Sequence, residues 1–131
     1  MQGIGLAVSN KWFPLLFTSV LFGLVHIANP EVGQMGMIMM FYYIGTGLLL
    51  GIITLMDEGL EVALGFHAAN NLVGALLVTS DWSALQTNAI FKDVSTTISV
   101  TEFVIPLLVI YPILLIKKKK KYGWTNWKQK L

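Results

Sequence analysis

No cysteine occurs anywhere in the 131 residues. Disulfides and thiolate metal sites are therefore excluded, and any metal would have to be held by His, Asp, Glu or Asn. Arginine is absent as well, and charged residues make up only 12% of the chain, too few to solvate the surface of a water-soluble domain of this size. Nucleic-acid binding calls for basic residues spread over a folded face. Here five of the nine basic residues stand in one block, Lys117 to Lys121, with Lys128 and Lys130 behind it, so no nucleic-acid partner is expected. The start, Met1-Gln2-Gly3-Ile4-Gly5, lacks the charged n-region and the small-residue cleavage site of a secretory leader.

What is present is apolar: 55% of the residues are hydrophobic and the mean hydropathy is +0.68. Four apolar segments can be traced. The first runs from about Trp12 to Ala28, with Pro14 in its first turn, where proline is tolerated, and Asn29-Pro30-Glu31 after it. The second runs from about Met35 to Met56, and its Gly47 and Gly51 form a small-xxx-small pair that lets another helix approach closely. After the acidic connection Asp57-Glu58-Gly59 the third segment runs from about Leu60 to Thr79, rich in Gly, Ala and Asn, a composition that predicts a helix buried among helices. Residues Ser80 to Thr101 read as an external loop with room for a surface helix. The fourth segment covers about Glu102 to Ile116, carries Pro106 and Pro112, reaches a spanning length only if extended back to Ile98, and stops at Lys117.

Segments of this length and composition predict an all-α, polytopic transmembrane helix bundle of about four spans. The expected organisation is one membrane domain over residues 1–116 and a basic cytoplasmic tail over 117–131, lying on the membrane surface or disordered. By the positive-inside rule the lysine block places the C-terminus in the cytoplasm, and four spans then place the N-terminus there too. Membrane lipid is the immediate partner.

Polar side chains at membrane depth are costly, so His26, His67, Asn70 and Asn71 require partners or a function. Residues four apart share a helix face, which aligns His67 with Asn71, while Asn70 points about 100° away and reads as packing or capping. At 1.5 Å per residue His26 lies about 20 Å into its segment and His67 about 12 Å into its own. The difference of about 8 Å is within what helix tilt absorbs, so the two imidazoles can meet. A lone histidine would read as glue between helices. Two histidines and an asparagine at helical spacing read better as a site.

These residues carry a resemblance. Phe22-Gly23-Leu24-Val25-His26 has the form FxxxH and His67-Ala68-Ala69-Asn70-Asn71 the form HxxxN, with a glycine-rich span between them. In order and spacing this resembles the CPBP family (CAAX proteases and bacteriocin-processing enzymes, also called Abi), over about Gly3 to Val78. The family's third element, a paired-glutamate EExxxR, is absent, and its usual spacing would put it upstream of Met1. The chain is accordingly expected to be the C-terminal part of a longer protease, inactive by itself.

The resemblance implies an intramembrane endopeptidase that hydrolyses a peptide bond of a membrane-associated protein by activated water, in a bacterial inner membrane. It implies catalytic roles for His26, His67 and Asn71: His26 would activate water with the missing glutamate, while His67 and Asn71 would stabilise the oxyanion or help bind a metal. Members are generally classed as metalloproteases, which makes Zn2+ the implied cofactor and His26 and His67 its ligands. Without the glutamate these make a poor zinc set. The alternative class is a non-catalytic membrane protein, an accessory subunit or pseudoenzyme that keeps the fold without the base. A two-histidine haem or metal-transport bundle is a third class, which gives HxxxN no reason to occur.

Overall fold

The computed structural model describes residues 12–94 and 101–123, together with Ile4, Ala7 and Asn10. Helix α1, Trp12–Leu24, begins where the Asn10 side-chain oxygen accepts a hydrogen bond from the Trp12 amide at 2.8 Å and satisfies one of the donors left open at a helix start. The helix ends four residues short of the expected Ala28. Asn29 precedes a proline, which disfavours the helical conformation, and it is extended (φ −66°, ψ 141°). Pro30 then opens a short helix, α2 (Pro30–Met35), closed by Gly36 at φ 73°. This helix was not expected from the sequence, because six residues are too few to show a period.

Helix α3, Ile38–Met56, is the centre of the structure. Its Gly47 lies against Ser19 and Phe22 of α1 so closely that an added Cβ would stand 2.9 Å from Phe22 Cβ and 3.0 Å from the Ser19 carbonyl oxygen. The small-residue reading of this helix therefore holds at Gly47, and Gly51 is buried as well. Hydroxyls on the two helices bond back to their own turns: Thr18 to the Pro14 carbonyl, buried Ser19 to Leu15 at 2.6 Å, and Thr54 to Leu50. No water is needed to satisfy them.

A turn with Glu58 in the left-handed region (φ 56°) leads to α4, Glu61–Leu77. Leu49, Ile53 and Met56 of α3 form the core with Ala63 of α4, flanked by Phe66, Tyr111 and Leu115. Contrary to the expectation of a helix enclosed by others, Ala63 is the one buried residue of α4, and nothing stands within 4 Å of where a Cβ would be on Gly65 or Gly74. Its small-residue face is uncovered by the described part of the chain.

The segment read as a loop contains two short strands, β1 (Val78–Ser80) and β2 (Phe91–Asp93), paired in parallel with Val78 opposite Phe91. An exposed ion pair, Lys92 to Asp81 at 2.7 Å, lies beside them. The last helical stretch consists of α5 (Thr101–Ile105), one π-helical turn (Pro106–Ile110) and α6 (Tyr111–Tyr122). Pro112 lacks an N–H and its ring crowds the carbonyl four residues earlier, and a wider turn before it relieves both. Tyr111 ties this stretch to α3 through hydroxyl contacts with Thr46 (3.2 Å) and Tyr42 (3.4 Å). The helix continues through all five lysines and closes at Gly123 (φ 62°), so the apolar segment ends at Lys117 and the helix does not.

The chain is thus mostly helical. Among the described residues α3 alone is both long and apolar enough to cross a membrane, and α1 is apolar but only 13 residues long. The extension of the last segment back to Ile98 and the tail beyond Gly123, including Lys128 and Lys130, lie outside the described residues.

Candidate active site

His26 stands in the turn that follows α1, where the last helical residues still govern its orientation. The carbonyl of Phe22, four residues back, accepts a hydrogen bond from His26 Nδ1 at 2.6 Å, and the Phe22 ring lies 4.7 Å from the imidazole. A carbonyl can only accept, so Nδ1 carries a proton, and whenever the ring is neutral its lone pair is on Nε2. Tyr43 of α3 stacks on the same imidazole, with centroids 4.5 Å apart and planes at 28°. The Tyr43 hydroxyl accepts from Asn29 Nδ2 at 3.3 Å, which fixes the ring and with it the face of His26 that it covers.

His67 arrives from α4 and meets Phe22 edge to face, with centroids 5.3 Å apart at 79°. Phe22 therefore touches both histidines, and the first letter of FxxxH has a geometric meaning: its carbonyl sets the tautomer of one imidazole and its ring packs against the other. One turn further, Asn71 Nδ2 donates to His67 Nε2 over a long 3.4 Å. That leaves His67 Nδ1–H and the second amide hydrogen of Asn71 as donors for another group. His26 and His67 are half-buried, whereas Asn71 and Asn70 are exposed. The structure thus brings together the three residues singled out by their spacing and leaves Asn70 apart.

Two neighbours were not singled out by the sequence. Tyr43 has no motif to mark it, and only its place in a span beside Tyr42 could have drawn notice. Glu31 reads as part of a connection, yet one of its oxygens accepts from the Ala84 amide at 2.7 Å and the other is buried with no hydrogen-bond partner among the described residues. Its partner lies 53 residues away, a distance no local pattern encodes.

Catalytic zinc sites take three protein ligands plus water. Here two imidazoles are available, and among the described residues no group of three or more His, Cys, Asp and Glu comes together. These residues do not by themselves make a zinc site.

The arrangement defines a helical protein with a histidine–asparagine cluster set between helices, and sequence comparison gives the class a name. The chain belongs to the Rce1-like family, described as type II CAAX prenyl endopeptidase Rce1-like, which it matches over residues 2–73, a stretch holding Phe22, His26, His67 and Asn71. The family is membrane-embedded. Among curated proteins the chain is similar to the uncharacterised protein YyaK of Bacillus subtilis (strain 168), with 28% identity over 101 residues, or 77% of this chain and 32% of that protein. The chain thus spans about a third of the length of the curated relative it matches. No solved structure matches it significantly.

Proposed function

We propose that the chain carries the histidine half of an intramembrane endopeptidase active site, in which His26 is a base and His67 with Asn71 binds the oxyanion. The observation that carries this reading is the fixed Nδ1–H of His26, which leaves Nε2 as the basic atom beside a second histidine on another helix. Peptide hydrolysis needs a base that takes a proton from water as its oxygen attacks the carbonyl carbon. It also needs donors for the charge that develops on the carbonyl oxygen, and His67 Nδ1–H and the Asn71 amide are of that type. The C–N bond then breaks as the leaving nitrogen takes a proton. A glutamate from outside the described residues completes the base, and the open face of α4 leaves His67 and Asn71 accessible to it.

The substrate is a membrane-associated protein, and the setting is a bacterial inner membrane with the lysine end in the cytoplasm. Residues 1–116 form the membrane domain, crossing it with the four apolar segments of which α1, α3, α4 and the last helix are the regular parts, and 117–131 form the basic tail. In support, large apolar side chains are exposed along all of these helices apart from the buried parts of α3, among them Phe13, Leu16 and Phe17, Leu72, Val73 and Leu76, and Leu108, Val109 and Ile113. A water-soluble monomer rarely leaves such contiguous apolar surface uncovered.

The test is cleavage of a membrane-anchored fluorogenic peptide in vesicles that contain the chain together with a glutamate-bearing EExxxR segment. His26→Ala is expected to lower turnover by about 10²–10⁴-fold, and Asn71→Ala by about 10²-fold, the usual loss for one oxyanion donor. Equal cleavage by His26→Ala and the unaltered chain would remove His26 from the mechanism, and none by either would leave a non-catalytic relative of the family.

A further inference from the structure

At the lysine end of the bundle α3, α4 and α6 do not close on one another. Between them runs an apolar groove of about 230 Å³, lined by Ile53, Val62, Phe66, Leu114, Leu115 and Lys118. Five of these six residues are hydrocarbon or aromatic, so the groove offers no polar partner to water along its floor. The sixth is a cation. Of the five consecutive lysines, 117–121, Lys118 alone is half-buried and the other four are exposed. A lysine in that position lays its stem along apolar surface and keeps its ammonium at the rim.

The rim gathers a second charge. Lys118 Nζ lies 4.9 Å from the centroid of the Tyr122 ring and Lys121 Nζ 5.3 Å from the same centroid. Two ammonium groups are thus held beside one ring, and one of them, Lys118, borders a groove that is otherwise apolar. The carboxylates at this end are Asp57, Glu58 and Glu61, three against five lysines, and the Glu61 carboxylate turns back toward Gly59 of its own turn.

We propose that this groove holds one acyl chain of an anionic phospholipid whose phosphate is bound by Lys118 and Lys121. The floor matches the chain in polarity, and the paired ammonium groups match a headgroup of net negative charge. A zwitterionic headgroup carries its own ammonium and gains less from the pair. The α-helical state of the lysine run matters here, because it places Lys118 and Lys121, three residues apart, on the same side of α6.

The inference rests on the membrane location proposed above, and the experiment separates the two. Membranes from cells expressing the full 131-residue chain are sedimented first, and the detergent-purified protein is then examined by native mass spectrometry with dioleoyl phosphatidylglycerol or dioleoyl phosphatidylcholine. Phosphatidylglycerol adducts are expected to dominate. Lys118→Gln should lower their occupancy about fivefold, while Lys120→Gln, which removes the same charge away from the groove, should leave it within about twofold. Val62→Trp, which fills the groove, should displace the lipid without touching the lysines, and glycerol phosphate, a headgroup without chains, should not compete. Equal retention of the two lipids, equal loss in the two lysine variants, or competition by glycerol phosphate would overturn the groove site and leave the membrane reading intact. Recovery of the chain in the soluble fraction would overturn both.

Discussion

Gly47 has no side chain where none fits, since Phe22 Cβ and the Ser19 main chain of α1 stand at the edge of van der Waals contact. The Ser19 atoms are main chain and Phe22 Cβ is bonded directly to it, so none of them can swing aside and Gly47→Ala must push α1 away from α3. Overpacking of this kind costs about 1–3 kcal/mol. Gly65→Ala, at a helical position with nothing within 4 Å, should be tolerated or mildly stabilising. Thermal unfolding of both variants in detergent checks the contrast. The same displacement would move Phe22, and with it the carbonyl that fixes His26 and the ring that meets His67, so Gly47→Ala should also lower any cleavage that depends on His26. Glu31 acts over a longer range: its carboxylate holds the Ala84 amide and so ties the loop of residues 81–90 to α2. Replacement by alanine should free that loop, and limited proteolysis between Ser80 and Phe91 should become faster while cleavage elsewhere is unchanged.

At the scale of elements, the sequence pattern located the helices better than their ends. Segment two matches α3 to within a few residues, because a stretch of 19 residues without a single charge, broken only by glycine and threonine, leaves little choice of structure. The first segment is shorter than its apolar run, since Pro30 imposes extended backbone on Asn29, and the last is longer than its apolar run, since lysine is a good helix former. The parallel strands were not legible, as three residues carry no alternation that can be told from loop. The lysine-bearing end of α6 also gives a titration to measure. The Tyr122 phenol is held below its ordinary value near 10, chiefly by the charge of Lys118 and then by Lys121. A phenol lowered in the folded state contributes stability only above its unfolded pKa and loses it as pH falls through the lowered value, so nothing is contributed at pH 7. Absorbance at the phenolate band should show one tyrosine ionising early, and Lys118→Gln should shift that step upward.

For the whole molecule, α1 and α3 pack tightly, whereas α4 is joined mainly at its first turns, through Ala63 and Phe66. The pairing of His67 with Asn71 was legible, because helix geometry alone sets it. That both histidines would meet at Phe22 was legible only as a possibility of depth, and the stacking of Tyr43 on His26 not at all, since spacing says nothing about which neighbour a helix chooses. Uncovered apolar side chains on α1, α4 and the last helix carry an expectation for the chain as a body: it should stay in the pellet after alkaline carbonate washing of membranes, and release into the supernatant would count against spans. The parallel pairing of β1 with β2 has a consequence of another kind. Chain leaving Ser80 has to travel back along the ladder before it can enter Phe91, and the ten residues 81–90 make that return where a dozen or more are usual. Length, more than the identity of the residues, is what this connection must conserve: related chains should show insertions here and few deletions, because an added residue only loosens the return while a lost one shortens a path already brief.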